Sequence, residues 1–127
     1  NRNTLTNFLA WRIYLEEQFV LHKGALRNLI DIEDVKKLLK IAIYYPRDVK
    51  LLSFALPNFT EVSLIVKFLE EAIGHSGKYK EVATDAYEYS KSEFIEEVIN
   101  KRDKIFDNDY SKKLILKYYK SFPKKFT

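Results

Sequence analysis

The chain has 127 residues, of which 46% are apolar and 15% aromatic, enough to bury the core of one domain. It contains no cysteine, so disulfide bonds, cysteine-ligated zinc and iron–sulfur clusters are excluded. Its 22 basic and 18 acidic side chains leave a net charge of +4, which is compatible with nucleotides or nucleic acid as partners.

The sequence shows no membrane or secretion signal. No apolar run is long enough to span a bilayer and no signal-peptide pattern opens the chain, so we expect a cytoplasmic protein without membrane contact. The chain does not begin with Met, and we expect N-terminal residues to be missing. With only two histidines, we expect no metal and no cofactor. Abundant lysine and glutamate beside a single glutamine favour a heat-adapted source.

The N-terminal part of the chain is predicted to be helical. Thr4 or Thr6 can cap a first helix that runs to about Val20. Asp31 precedes apolar residues spaced by three and four positions, which predicts a second helix. The apolar residues of that helix are Ile32, Val35, Leu38, Leu39, Ala42 and Ile43. Pro46 then breaks the pattern.

The middle of the chain is predicted to continue in helices. A short helix is expected over residues 47–56, and Asn58 or Thr60 caps a longer one. The apolar stripe of this longer helix is formed by Val62, Ile65, Val66, Leu69, Ala72 and Ile73. Residues 74–77 form a turn, and residues 79–89 are predicted to form another helix.

Two further helices are predicted near the C-terminal end. Ser90 and Glu93 have the capping-box spacing before the first of them. Its apolar residues are Phe94, Ile95, Val98, Ile99, Ile105 and Phe106, and the last helix carries Leu114, Ile115, Tyr118 and Tyr119. No stretch shows strand alternation with hairpin turns. The sequence therefore predicts a single all-α domain over residues 1–127, with six or seven helices.

One short segment concentrates cationic side chains around a glycine. His22, Lys23 and Arg27 surround Gly24. Such a glycine lets the backbone approach an anion while the cations close around it, as in a phosphate site. The same pattern is typical of a helix C-terminus, where basic residues oppose the dipole and glycine follows the last turn. The segment alone leaves both interpretations open.

The recognised catalytic motifs are missing, and binding is the expected activity. No Gly-rich phosphate loop, nucleophile elbow or His-Glu-x-x-His pair occurs, so we expect no enzyme activity in this chain alone. Four clusters interleave basic and aromatic side chains, a pattern that can hold phosphates and stack bases. They are Trp11-Arg12, Tyr45-Pro46-Arg47, Lys78-Tyr79-Lys80 and Lys117-Tyr118-Tyr119-Lys120. Ordinary surface residues would account for the same clusters.

Taken in order, these segments resemble the C-terminal domain of the large subunit of archaeal and eukaryotic primases, a domain known for its iron–sulfur cluster. Residues 8–12 are similar to its Phe-Pro-Pro-Cys segment, with Trp11 at the first cysteine. Residues 21–27 look like its basic-basic-Gly-small-Arg motif, which holds the triphosphate of the initiating nucleotide. Two later segments are similar to its other cysteine segments, with Tyr45 and Thr84 in the places of cysteines. The resemblance covers about residues 8–89.

The resemblance implies an all-α fold and an archaeal, non-catalytic primase subunit that lacks the cluster. Such a subunit binds the initiating nucleotide and the template–primer, and supports RNA primer synthesis by partner catalytic and large subunits. The residues that it assigns to nucleotide and nucleic-acid binding are His22, Lys23, Arg27, Arg12 and Arg47.

Two other functions remain open from the sequence. A helical small subunit of an RNA-guided, CRISPR-type defence complex would have a broad positive strip and no nucleotide pocket. Its binding to long single strands would depend steeply on salt, without preference for a 5′-triphosphate. A protein-only interaction domain would use Trp11 and the tyrosines as contact anchors and would have no affinity for nucleic acid.

Overall fold

The computed structural model describes residues 4–44, 56, 59–85, 94–96, 98 and 109–124. In these residues the helices are α1 (Leu5–Tyr14), α2 (Ile32–Ile43), α3 (Val62–Ile73), α4 (residues 94–96 and 98) and α5 (Tyr110–Tyr119). The strands are β1 (Gln18–Lys23), β2 (Leu26–Arg27), β3 (Thr60–Glu61) and β4 (Lys78–Ala83). The fold is mixed α/β, and the prediction of an all-α domain with six or seven helices is wrong.

The four strands form two separate two-stranded sheets. Strands β1 and β4 are parallel, with a register from Gln18 opposite Lys78 to Lys23 opposite Ala83. Strands β2 and β3 are antiparallel and pair Arg27 with Thr60. The parallel pair joins segments that lie on either side of α2 and α3 in the sequence, and it is the framework on which the candidate site is built.

Strand β1 replaces the second half of the predicted first helix. Helix α1 ends at Tyr14 rather than near Val20. In β1 the side chains of Phe19 and Leu21 are buried while that of Val20 is exposed, which is the alternation of a strand with one face on the core. The apolar run could equally extend a helix face, so pairing with β4 decides the structure here.

Strand β4 replaces the start of the predicted helix over residues 79–89. All six of its side chains are exposed. It therefore lacks the alternation of apolar and polar residues that marks a half-buried strand in a sequence. Residues 86–89 lie outside the described residues.

Helices α2 and α3 lie where they are predicted, and the apolar face of α3 is buried as expected. The predicted apolar face of α2 is wrong in part, because Leu38 is buried whereas Ile32, Leu39 and Ile43 are 57%, 48% and 75% exposed. The carboxylate of Asp31 accepts a hydrogen bond from the Glu33 backbone N–H at 3.0 Å and so caps α2. The buried residues of α3 are Val62, Ile65, Val66 and Leu69. Helix α3 ends at Gly74, whose φ of +80° is the left-handed conformation of a helix C-terminus. Thr60, a predicted cap, lies instead in β3.

The C-terminal predictions are met where the structure describes them. Helix α5 buries Ile115 and Tyr119, and α4 buries Phe94, Ile95 and Val98. Several other predictions lie outside the described residues. They are the break at Pro46, the helix over residues 47–56 apart from Leu56, the cap at Asn58, the capping box of Ser90 and Glu93, and the apolar residues Ile99, Ile105 and Phe106.

The main core lies between α1, α3, α5 and β1. Its most deeply buried large side chains are Leu9, Ile13, Leu21, Ile65, Leu69 and Ile115, each at most 2% exposed. Burying one such side chain contributes about 1.5–3 kcal/mol to the fold. A smaller cluster joins Leu38 of α2 to the buried residues of α4.

A hydrogen-bonded group ties the start of α2 to α5. The buried Asp31 carboxylate accepts hydrogen bonds from the Tyr118 hydroxyl and, at 2.7 Å, from Lys117 Nζ. The Tyr110 hydroxyl accepts the Asp31 backbone N–H at 2.8 Å and donates to Asp34 at 2.5 Å. Burial raises the pKa of Asp31, but the hydrogen bonds from Lys117 and Tyr118 outweigh it and lower that pKa below the ordinary 3.8. Two residues of the last basic–aromatic cluster therefore hold the fold together.

Candidate functional site

A pocket of about 640 Å³ opens at the carboxyl ends of β1 and β4. This size lies within the roughly 300–1,000 Å³ of small-molecule sites, and in parallel sheets ligands bind at this end of the strands. Its polar lining residues are His22, Arg27, Thr84 and Asp85, and its apolar lining residues are Leu5, Phe8, Leu9, Val20, Ala25, Leu26 and Val62. The pocket thus combines an apolar wall with a few charged and hydroxyl groups.

The turn after β1 brings the two polar segments together. Gly24 has a φ of +92°, and a Cβ at this position would lie 2.6 Å from the carbonyl oxygen of Thr84. The Thr84 backbone N–H donates to the Lys23 carbonyl at 2.9 Å, which continues the parallel ladder beyond β4. Gly24 therefore ends a strand rather than a helix, and the space at its Cα is filled by protein backbone.

Contacts beyond the turn fix the floor of the pocket. The Val62 N–H, at the start of α3, donates to the Ala25 carbonyl at 2.9 Å. Both residues are buried and line the pocket. In the β2–β3 pair that follows, Arg27 pairs with Thr60, and its side chain also lines the pocket.

His22 is one of the polar residues that line the pocket. Its Nδ1 forms a hydrogen bond of 3.3 Å with Thr84 Oγ1. When the Thr84 hydroxyl donates to Nδ1, Nε2 carries the hydrogen and can donate to a ligand. In this tautomer, Thr84 orients a donor of His22 toward the pocket.

Arg27 supplies the permanent positive charge of the pocket. Its Nη1 donates to the carbonyl of Leu26 at 2.8 Å, which restrains an otherwise exposed side chain. That contact uses one of the five N–H donors of the guanidinium. The remaining donors suit a carboxylate or phosphate, which arginine binds through paired hydrogen bonds.

Lys23 does not line the pocket with its two predicted partners. Successive side chains of a strand point to opposite faces, so the exposed Lys23 follows His22 on the other side of β1. The structure thus brings His22 and Arg27 into one pocket and leaves Lys23 out of it.

Arg12 lies behind the pocket rather than in it. Its Nη1 is 2.9 Å from Glu17 Oε2, and its Cζ lies 5.1 Å from the centre of the Phe8 ring. Phe8 is 41% exposed and forms part of the pocket wall. Arg12 therefore supports an aromatic wall residue by a cation–π contact while its charge is paired. Arg47 lies outside the described residues.

Sequence reasoning missed Phe8 and Asp85 as site residues, and it considered Thr84 only as the counterpart of a cysteine. Residues 84–85 reach the pocket only because β4 pairs with β1, and neither strand was predicted. A short segment with no local motif gave no signal for this contact.

Two other predicted basic–aromatic clusters are divided by the fold. The Trp11 ring packs edge-on against Phe122 with ring centres 4.8 Å apart, in the main core region. Tyr79 packs against the buried Phe19 at 5.5 Å, on the side of β4 opposite Lys78 and Lys80. Neither aromatic ring forms one surface with its basic neighbours.

Over the described ranges, no group of three or more acidic or histidine side chains could hold a metal ion. No helix in the same ranges is both long and apolar enough to cross a bilayer. The chain matches no protein-family model, and no curated protein or solved structure matches it.

Proposed function

We propose that this protein is a non-catalytic primase subunit that binds the triphosphate of the initiating nucleotide in the pocket at the ends of β1 and β4. The observation that carries the proposal is the presence of His22 and Arg27 in one pocket that also has an aromatic wall. A nucleotide needs both kinds of surface, because it joins an anionic tail to a planar ring.

Each polar group of the pocket has a role in this proposal. The Arg27 guanidinium and His22 Nε2 bind phosphate oxygens. The exposed ring of Phe8 provides a stacking surface for the base. The Asp85 carboxylate repels phosphate, so it accepts hydrogen bonds from ribose hydroxyls instead.

The proposed role in initiation is to position the first nucleotide. A subunit that holds the first nucleotide beside the catalytic subunit lowers the entropic barrier to the first phosphodiester bond. The supporting residues are those of the segment from 21 to 27 that resembles the primase triphosphate motif. The mixed α/β fold differs from the helical fold that this resemblance implies. Nucleotide binding therefore rests on the pocket, and the primase role rests on the resemblance of residues 21–27 and not on a shared fold.

Calorimetric titration with ATP and with inorganic triphosphate tests the pocket. We expect Arg27→Ala to lower the affinity for both ligands by about 10-fold or more, since a hydrogen bond to a charged group contributes about 1.5–3 kcal/mol. Phe8→Ala should lower the affinity for ATP and leave the affinity for inorganic triphosphate unchanged. Lys23→Ala is the matched control, a cation in the same segment that should change neither. Equal losses in Lys23→Ala and Arg27→Ala would contradict the site.

Reconstitution tests the primase role separately. The chain should co-purify with the primase catalytic and large subunits of its source organism and lower the ATP concentration needed for primer initiation. Arg27→Ala should keep the association and lose the effect on initiation. Nucleotide binding without association would retain the pocket but exclude the primase role.

A further inference from the structure

The β1–β4 sheet has an open face that continues from the pocket. In the parallel register, Lys80 lies beside Val20 and Val82 lies beside His22. Paired residues of neighbouring strands project to the same side of the sheet, and Val20 and His22 both line the pocket. Lys80 and Val82 therefore project on the pocket side.

Because side chains alternate along a strand, the charged side chains of β4 lie on two different faces of the β1–β4 sheet. Lys78 and Lys80 are two positions apart and share the pocket side, whereas Tyr79 and Glu81 project to the other side. The contact of Tyr79 with the buried Phe19 agrees with this assignment. The open face thus carries both lysines of the strand and not its glutamate.

This face is exposed and its lysines are available to an anion. Val20 is 49% and Val82 41% exposed. The neighbour of Lys80 on β1 is the uncharged Val20. Lys78 Nζ is 4.0 Å from Glu16 Oε2, and both side chains are 58% exposed, which makes this a weak, solvent-screened pair.

We propose that this surface, which we call the lysine face (Val20, His22, Lys78, Lys80 and Val82), binds the sugar–phosphate backbone of a single-stranded nucleic acid whose 5′-triphosphate end lies in the pocket. The inference rests on the proposed nucleotide site. Alternate positions on a strand are about 7 Å apart, so Lys80 and Lys78 lie one and two such steps from the level of His22 and form a line of cations leading away from the pocket.

The width of the sheet and the chemistry of its lysines favour a single-stranded nucleic acid over a duplex. Neighbouring β-strands are only about 5 Å apart, so the binding surface of a two-stranded sheet is narrow. Lysine contacts to phosphate position a strand without reading its bases. Binding along the lysine face is therefore independent of sequence and sensitive to salt.

Fluorescence anisotropy with a labelled 5′-triphosphorylated oligonucleotide, run beside ATP titration, tests the inference. We expect Lys78→Ala/Lys80→Ala to lower the affinity for the oligonucleotide by about 10-fold and to leave the affinity for ATP unchanged. Each lost phosphate contact should reduce the slope of log affinity against log salt by about 0.7. Lys67→Ala, on the exposed side of α3, is the control for general loss of positive charge and should leave oligonucleotide affinity near the wild-type value.

The outcomes separate this inference from the proposed function. Unchanged oligonucleotide affinity in the double variant, with ATP still bound by the wild type, overturns the lysine face and leaves the nucleotide pocket standing. A wild-type chain that binds neither ligand overturns both. An equal loss in Lys67→Ala also overturns the lysine face, because the effect would then be one of overall charge.

Discussion

The carbonyl oxygen of Thr84 occupies the space in which a side chain at Gly24 would begin, 2.6 Å from the position of a Cβ. This contact joins the ends of β1 and β4 and sets His22 beside Thr84. Since residue 24 also has a φ of +92°, only glycine fits without displacement of the backbone. Gly24, which suggested either a phosphate site or a helix C-terminus in the sequence, instead ends β1 and allows the pocket to form.

Gly24→Ala should therefore destabilise the fold by about 2–4 kcal/mol, from the left-handed backbone and the clash together. Gly74→Ala is the matched control, because residue 74 has a similar φ of +80° but no atom within 4 Å of a Cβ. That substitution should cost about 1 kcal/mol. The measurement is the free energy of unfolding in urea. Equal losses would contradict the close approach of Thr84.

The apolar face of α3 should dominate the stability of the core. Ile65 is fully buried, and Ile65→Ala should lower the free energy of unfolding by about 2–5 kcal/mol. Its neighbour Leu64 is 41% exposed, and Leu64→Ala should cost less than about 1 kcal/mol. Chemical denaturation of the two variants checks the orientation of α3. A larger loss in Leu64→Ala would contradict it.

Asp31 should make the free energy of unfolding depend on pH in the acid range. Its pKa is lowered in the folded chain, so its ionised form stabilises the fold above its ordinary pKa of 3.8. This stabilisation is lost as the pH falls through the folded pKa. Asp31→Asn keeps the helix cap and removes the charge, and it should cost about 1–3 kcal/mol at neutral pH.

The measurement is urea denaturation of both proteins across the acid range. The difference between wild type and Asp31→Asn should shrink as the pH falls below the ordinary pKa of 3.8 and through the lowered pKa of folded Asp31, because protonated Asp31 no longer carries the charge that Lys117 pairs with. A difference that is constant with pH would show that the carboxylate charge does not contribute.

The helices with a strong local pattern could be predicted from the sequence. Helix α2 combines a capping aspartate with regular apolar spacing, and α3 ends at a glycine in the left-handed conformation. Both signals act within a few residues. Tertiary contacts are not needed to recognise them.

The strands could not be predicted in the same way. β1 contains the run Phe19-Val20-Leu21, which fits either a helix face or a strand, and β4 exposes every side chain. Their pairing is a contact between distant parts of the chain, and neither partner marks it alone. Because these strands were not recognised, the sequence predicted an all-α domain instead of a mixed α/β fold.

The candidate site was predicted in part for the same reason. His22, Lys23 and Arg27 are close in the sequence and would surround Gly24 in a loop. In a strand, alternation separates Lys23 from His22, while the pairing of β1 with β4 adds Thr84 and Asp85, which follow β4. Local sequence identified two pocket residues, and the topology decided the others.

The most direct test of the central claim is to map ATP on the protein by the shifts of backbone amide signals in NMR spectra during a titration. We predict saturable shifts concentrated at His22, Arg27, Thr84 and Asp85, with the exposed amides of α5 unaffected. Arg27→Ala should abolish them at the same ATP concentration. Saturable shifts confined to another surface, or none at millimolar ATP, would contradict the nucleotide pocket.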